Sequence, residues 1–426
     1  MRKRRVAARA VLLALVACLA LQPLALANVS GWPGFRHDTR QTGYNPDEIV
    51  IDAEAVDRLR PAWSADLPLT AAPIVRVGRV IAGGTVQTDE SPTATRAQVW
   101  AFTQLDGSQL WTRQLPCAAV HSPWLSSLSS GHSAVMVPTI GCSRRGRLTG
   151  DTTSNGVMWG LDAETGARRW RSSVPGRVSS AISWSTYAFF LYEAPRRPQQ
   201  VHLRAIDVYT GRTLWDRPIS RTGTLAHHGM MITRFSGYGT LYIGVGGMGA
   251  PVASNGNVYF SHRLIELTPR NHLTSERACP VDSGLCAWDL ESGRLRWTSE
   301  AEADAFIGTP MAAHGLVHGI CAPRDQGLQF CSLDGRTGEL VGTAIHPRQL
   351  DLRSNDPAQQ PIGALDLAYV GAEHRTEDHA PRIAMYHFTG GSLSDTMAGG
   401  DYYLVARGGV YVGSSSGIVC YRIPLF

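Results

Sequence analysis

One hairpin, written repeatedly, limits what this chain can become. At Val157–Trp170 the sequence reads V-M-W-G-L-D-A-E-T-G-A-R-R-W. Val157 to Leu161 is a short apolar strand, Asp162 to Gly166 is a turn, and Trp170 sits on the returning strand. An aspartate accepts turn amides, and glycine tolerates the positive φ such a turn often needs. The returning tryptophan brings a large aromatic surface back against the sheet. The pattern recurs at Asp207–Gly211–Trp215 and Asp289–Gly293–Trp297. It recurs again at Asp334–Gly338, with Gly342 in the tryptophan position, and at Asp106–Gly107–Trp111, with Thr103 in the aspartate position. Partial copies end at Trp63 and close the chain over Gly417–Ile423. Self-similarity at a steady spacing is the mark of a repeat architecture.

The first 27 residues read as an export signal: Arg2 to Arg5 are basic, Val6 to Leu21 mostly apolar, and Ala25-Leu26-Ala27 gives a small-x-small cleavage pattern. A rival reading takes Leu15-Val16-Ala17-Cys18 as a lipobox, with Cys18 carrying lipid. No other stretch is long and apolar enough to cross a membrane. The five basic residues of the signal account for the whole formal charge of +5, so the remainder is near neutral and lacks a nucleic-acid footprint. Lys3 is the only lysine, which excludes a lysine base or Schiff base after the signal.

About 400 residues remain, enough for one large domain or two ordinary ones. Short strands separated by Gly, Asp, Ser and Pro turns indicate an all-β fold; Asp52–Arg58 is the best short-helix candidate. Residues 28–62 read as an arm packed on the body, with W-P-G-F-R-H-D at Trp32–Asp38 and T-G-Y-N-P at Thr42–Pro46. This opening, followed by copies of A-x-D-x-x-T-G-x-x-x-W, resembles the pyrroloquinoline-quinone-type β-propeller repeat family. The resemblance covers almost the whole chain after the signal. It implies four-stranded blades around an axis, with the repeated tryptophan packed between blades. The family includes quinoprotein dehydrogenases and non-enzymatic members, among them an outer-membrane β-barrel assembly lipoprotein.

Tryptophan spacing counts the blades. The intervals from Trp63 are 48 residues to Trp111, 59 to Trp170, 45 to Trp215, 82 to Trp297 and 45 to Gly342, with 84 more to Phe426. The two long intervals each hold nearly two blades, which gives eight, with seven as the alternative. Residues 63–426 then form one propeller, closed by the Trp63 strand pairing with the C-terminal blade. Ala101, Gly160, Ala205 and Ala287 are small, which is read as close approach between sheets.

Seven cysteines follow the signal, and export places them where disulfides persist. Cys321 and Cys331 flank a hairpin and suit a cross-strand bridge. Cys279 and Cys286 suit a loop-closing bridge, and Cys117 with Cys142 a tie between blades. Cys420 is left as a buried free thiol. Spacing alone does not fix the connectivity.

The turn residues Asp162, Asp207, Asp289, Asp334, Gly107, Gly166, Gly211, Gly293 and Gly338 recur once per blade, and catalytic groups do not. They read as structural, as do Trp63, Trp111, Trp170, Trp215 and Trp297. His227-His228 is a candidate ligand pair, but neighbours on a strand point to opposite faces, so hydrogen-bonded turn histidines are favoured. His314 and His318 share a strand face by parity, without an evident third ligand. The dehydrogenases of the family hold their quinone on a divalent cation, usually calcium, with oxygen ligands and an aspartate base. They also carry adjacent cysteines, and this chain has no Cys-Cys pair. Asp366, Glu373 and Asp378 are near one another in what reads as a polar loop. No C-x-x-C-H is present.

The reading is therefore an exported, monomeric, non-catalytic propeller of bacterial type, periplasmic or secreted, without cofactor. It would present loops to an envelope or extracellular protein or polymer. Arg217–Met248 and Pro347–Gly400 read as irregular recognition stretches. The alternative is a dehydrogenase dependent on pyrroloquinoline quinone and calcium, with a diverged site. A hydrolase or lyase on the same scaffold is a third class, which rests on the versatility of propellers alone.

Overall fold

Each repeat closes on its turn. Asp162 Oδ1 accepts the amides of Glu164 and Thr165 at 2.9 Å and the Thr165 hydroxyl at 3.1 Å. Gly166 then takes φ +68°, a region that side chains disfavour. Asp207 accepts the amides of Tyr209 and Thr210 at 3.0 and 2.9 Å, and Asp334 those of Arg336 and Thr337 at 2.7 and 3.0 Å. In the first copy the roles are shared: the Ser108 amide donates to Thr103 Oγ1 at 3.1 Å and to Asp106 Oδ1 at 3.0 Å.

The computed structural model describes residues 31–424, except 34–35, 39, 77, 89–90, 121–124, 128–133, 143–154, 185, 195–199, 221–227, 236–237, 246–250, 261–262, 268–273, 281–283, 300–305, 322–328, 345–349, 353–360, 375–380 and 389–392. The expected signal, its alternative Cys18 anchor, His227 and Asp378 lie outside the described residues. No described helix is long and apolar enough to cross a membrane.

Eight antiparallel sheets follow one another as the blades of a propeller. Blade 1 is Leu69–Arg76, Arg79–Thr88, Ser91–Thr103 and Gln109–Leu115. Blade 2 has Ala119–Val120 and Ser126–Ser127 on its inner edge, then Ala134–Ile140, Gly156–Asp162 and Arg168–Val174. Blade 3 is Val178–Trp184, Tyr187–Ala194, Gln200–Asp207 and Thr213–Ser220. Blade 6 is Phe306–Ala313, Leu316–Cys321, Gln329–Asp334 and Leu340–Ala344. Blade 7 is Ile362–Ala364, Leu367–His374, Pro381–His387 and Leu393–Ala398, with Leu350–Leu352 also on Leu367–His374. Blade 8 joins both ends of the chain: Tyr402–Ala406, Gly409–Ser414 and Gly417–Arg422 take Arg60–Asp66 as their outermost strand, with Trp63 opposite Cys420.

Blades 4 and 5 are interleaved. The chain lays down His228–Phe235 and Tyr238–Val245 in blade 4, then Val252–Ser254 and Asn257–Phe260 in blade 5. It returns to complete blade 4 with Arg263–Leu267 and Thr274–Ala278, and only then finishes blade 5 with Cys286–Asp289 and Leu295–Thr298. Cys279 and Cys286 form a disulfide where the chain passes from one to the other for the last time. Both stretches that read as irregular in the sequence are thus largely strand: Arg217–Met248 holds the first hairpin of blade 4, and Pro347–Gly400 holds blade 7. Their strands lack the aspartate-turn signature, which is why they read as loop.

The core is a series of layers between neighbouring blades rather than a single centre. Met136, Trp170, Phe190 and Tyr192 fill the seam of blades 2 and 3, and Tyr259, Trp297 and Cys331 that of blades 5 and 6. The repeated tryptophan bridges such seams. Its indole donates to a turn carbonyl of the next blade: Trp63 to Gln104 at 3.2 Å, Trp111 to Ala163 at 3.1 Å, Trp170 to Val208 at 2.8 Å and Trp297 to Gly335 at 3.2 Å. Its ring lies against the turn glycine there, Gly107, Gly166, Gly211 and Gly338 respectively. Burying each ring stabilises the seam by about 3 kcal/mol. In blade 4 Arg277 takes this place, donating to Gly293 O and lying 5.2 Å over Trp288.

The small residues have a different cause from the one read in the sequence. Ala101, Gly160, Ala205 and Ala287 lie directly opposite Trp111, Trp170, Trp215 and Trp297 within their own sheets. They make room for that ring; a methyl at Gly160 would overlap the Trp170 indole. Two further disulfides are present, Cys117–Cys142 and Cys321–Cys331, and Cys420 is buried and unpaired.

Candidate functional site: the axial arm

The segment before the first blade strand is built into the axis. Trp32 is fully buried and exchanges main-chain hydrogen bonds with Val75 of blade 1, at 2.8 and 3.0 Å. Eight positions later the Arg40 carbonyl accepts from Ala253 of blade 5 at 3.0 Å. Blades 1 and 5 are four places apart in the ring of eight, so the arm that carries Arg36 and His37 links two sides of the ring. The arm then follows the inner rim. Thr42 O accepts from Ala312 of blade 6 at 2.8 Å, and Gly43 O from Gly363 of blade 7 at 2.8 Å. Tyr44 and Asn45 pair in parallel with Gly363 and Ala364. Asn45 Nδ2 donates to Val405 O of blade 8 at 2.8 Å, and Glu48 accepts from Gly408 N at 2.8 Å.

Arg36 is the centre of this arrangement. It is 1% exposed, and its guanidinium donates to three main-chain carbonyls: Gln41 at 3.3 Å, Pro361 at 3.0 Å and Pro310. Burial lowers its pKa to about 9, against the opposing pull of Tyr403 and Asp38. Asp38 folds the loop back by accepting the Thr42 amide at 2.9 Å. Gly43, at φ +69°, leaves the space that Arg36 fills. The R-H-D…T-G spacing is thus one local device: a cation, the carboxylate that closes its loop, and the glycine that makes room.

His37 is half-buried, with its ring 5.2 Å from Trp32 in an edge contact, and burial lowers its pKa. His314 and His318 do not share a strand face. His314 sits in the turn after Phe306–Ala313 at φ +51°, with Nε2 3.0 Å from the Tyr44 hydroxyl and 2.8 Å from Leu365 O. It latches the arm to the rim. His318 is fully buried between Phe330 and Phe388, with Nδ1 2.8 Å from Ser332 Oγ. Burial, and secondly His314, lower its pKa to about 3.

The remaining candidates do not converge here. His228 opens an inner strand of blade 4 and its main chain pairs with Val245; its side chain lies outside the description. Asp366 is exposed, 3.9 Å from His387, and only the main chain of Glu373 is described. One cluster escaped the sequence reading. Asp216 accepts from Arg204 Nε at 2.8 Å and from the Tyr192 hydroxyl at 2.8 Å, and lies 2.9 Å from His202 Nδ1. These residues sit at facing positions on three strands of blade 3. The alternation His202-x-Arg204 was the available signal.

A quinone held on calcium needs a cage of oxygen ligands. Among the described residues no three His, Cys, Asp or Glu side chains are gathered so as to hold a metal ion. The described axial residues do not suit the group: a buried guanidinium repels a divalent cation, and the carbonyls around it are already used.

Fold and arm together define the class, an eight-bladed propeller of quinone-type repeats. More particularly, the chain belongs to the family of the outer membrane protein assembly factor BamB, whose model matches residues 55–183, 146–263 and 202–372. The structure of BamB from Moraxella catarrhalis is similar at a TM-score of 0.53 and 14% identity, covering 85% of this chain and 99% of that one. A europium-containing methanol dehydrogenase reaches 0.55 at 12% identity, covering 92% of each chain. The quinohemoprotein alcohol dehydrogenase from Comamonas testosteroni also reaches 0.55 at 12%, covering 93% of this chain and 82% of that one. At these identities the likeness is one of fold. No curated protein matches the chain in sequence.

Proposed function

We propose that this chain is an exported, non-catalytic propeller that serves as a binding or scaffold module in the cell envelope. The observation that carries this reading is the arm. Main-chain groups of five inner strands are hydrogen-bonded to the arm, and the buried side chain at its centre is an arginine, which offers a divalent cation no ligand. Membership of the assembly-factor family supports the envelope setting. Three disulfides suit an oxidising compartment. The rival dehydrogenase reading rests on the fold it shares with the alcohol and methanol enzymes.

Calorimetric titration of the folded protein with pyrroloquinoline quinone, with and without calcium, tests the reading. No heat of binding is expected. A saturable one-to-one heat that needs calcium would overturn it. Export is checked by fractionation and by the mass of the mature chain, which separates a start at Asn28 from a lipid-bearing Cys18.

A further inference from the structure

Chain order in a propeller is broadly angular order, so charge written along the sequence becomes charge around the ring. Residues 91–220 hold 14 arginines against seven aspartates and glutamates, whereas the rest of the chain after Ala27 holds 21 against 28. The neutral total therefore hides a basic sector over blades 1 to 3.

Part of that excess surfaces on the outermost strand of blade 2, Arg168–Val174. One side of this strand pairs with Gly156–Asp162, and among the described residues no other strand is paired to its second side. Trp170, Ser172 and Val174 point inward, while Arg168, Arg169, Arg171 and Ser173 are exposed. Arg169 is bound to Asp162. Arg168 and Arg171 form no ion pair among the described residues, and neither does the exposed Arg113 on the outermost strand of blade 1. Blade 3 closes the far end of the edge, where Arg204 donates to Ser173 O at 2.7 Å. The open length is Arg168–Ser172.

Charge on an outermost strand guards against self-association. Guarding alone does not require unpaired arginines concentrated in one sector: in blade 5 Leu295 and Thr298 stand where blade 2 has Arg168 and Arg171, and the outermost strand of blade 6 has no arginine. We propose that the blade 2 edge docks an extended acidic segment of a partner protein. The segment adds as a fifth strand, main chain to main chain, with its carboxylates facing Arg168 and Arg171. This inference rests on the reading of the chain as a binding module.

The test is fluorescence anisotropy with a labelled eight-residue peptide alternating glutamate and threonine. A second peptide replaces two threonines by proline, keeping the charge and removing main-chain donors. Vesicles containing phosphatidylglycerol are the third probe. The alternating peptide is expected to bind, the proline peptide to bind at least tenfold more weakly, and the vesicles not to bind. The double variant Arg168→Ala/Arg171→Ala should weaken peptide binding about tenfold with an unchanged urea midpoint. Equal binding of both peptides, indifference to the double variant, preference for vesicles or no binding would each overturn the proposal. The quinone titration separates the two readings: peptide failure leaves the non-catalytic module standing, and quinone binding sinks the module without touching the edge.

Discussion

Arg36 occupies the space that any side chain at Gly43 would need, and its guanidinium joins main-chain carbonyls of the arm, blade 6 and blade 7. Gly43→Ala would both strain a φ of +69° and displace the guanidinium. A loss of about 3 kcal/mol is expected, read as a lower urea midpoint by tryptophan fluorescence. Arg36→Met, which leaves buried carbonyls without donors, should cost at least as much.

The repeat glycines are not equivalent. Gly160→Ala meets the Trp170 ring and should destabilise by about 2 kcal/mol or more, whereas Gly342→Ala meets nothing within 4 Å and should stay within about 0.5 kcal/mol. Equal midpoints for the two variants would contradict the account of the small positions.

His318 gives the fold an acid sensitivity. It stays neutral in the fold to about pH 3, while a histidine of the unfolded chain takes its proton near 6.5. The unfolded state binds more protons across that window, so stability is full above it and falls on acidification, by about 1.4 kcal/mol per pH unit from this residue. His318→Phe, between the same two phenylalanine rings, should flatten the slope between pH 4.5 and 6.5. Urea midpoints at several pH values measure it.

Interleaving makes blades 4 and 5 one unit. Replacing Cys279 and Cys286 by serine removes a short cross-link worth about 2–3 kcal/mol in the chain-entropy account. Hydrogen exchange should then speed up together in Tyr238–Val245 and in Asn257–Phe260, with blade 2 unchanged. Acceleration in one blade alone would show that they open separately.

The sequence by itself determined the repeat, the all-β class and a count of eight blades. Those features are local: an aspartate, a glycine and a tryptophan at fixed spacing act on residues a few positions away. Cys321 and Cys331 are legible for the same reason, since they lie within one hairpin. Only the tertiary structure decided what the small positions serve, because Gly160 and Trp170 meet across a strand pair whose register a bulge shifts. It also decided the weave of blades 4 and 5 and the path of the arm. Arg36 reads as an ordinary polar residue in an irregular segment. Its burial follows from carbonyls 274 and 325 residues away, which approach it only when the ring of blades is complete.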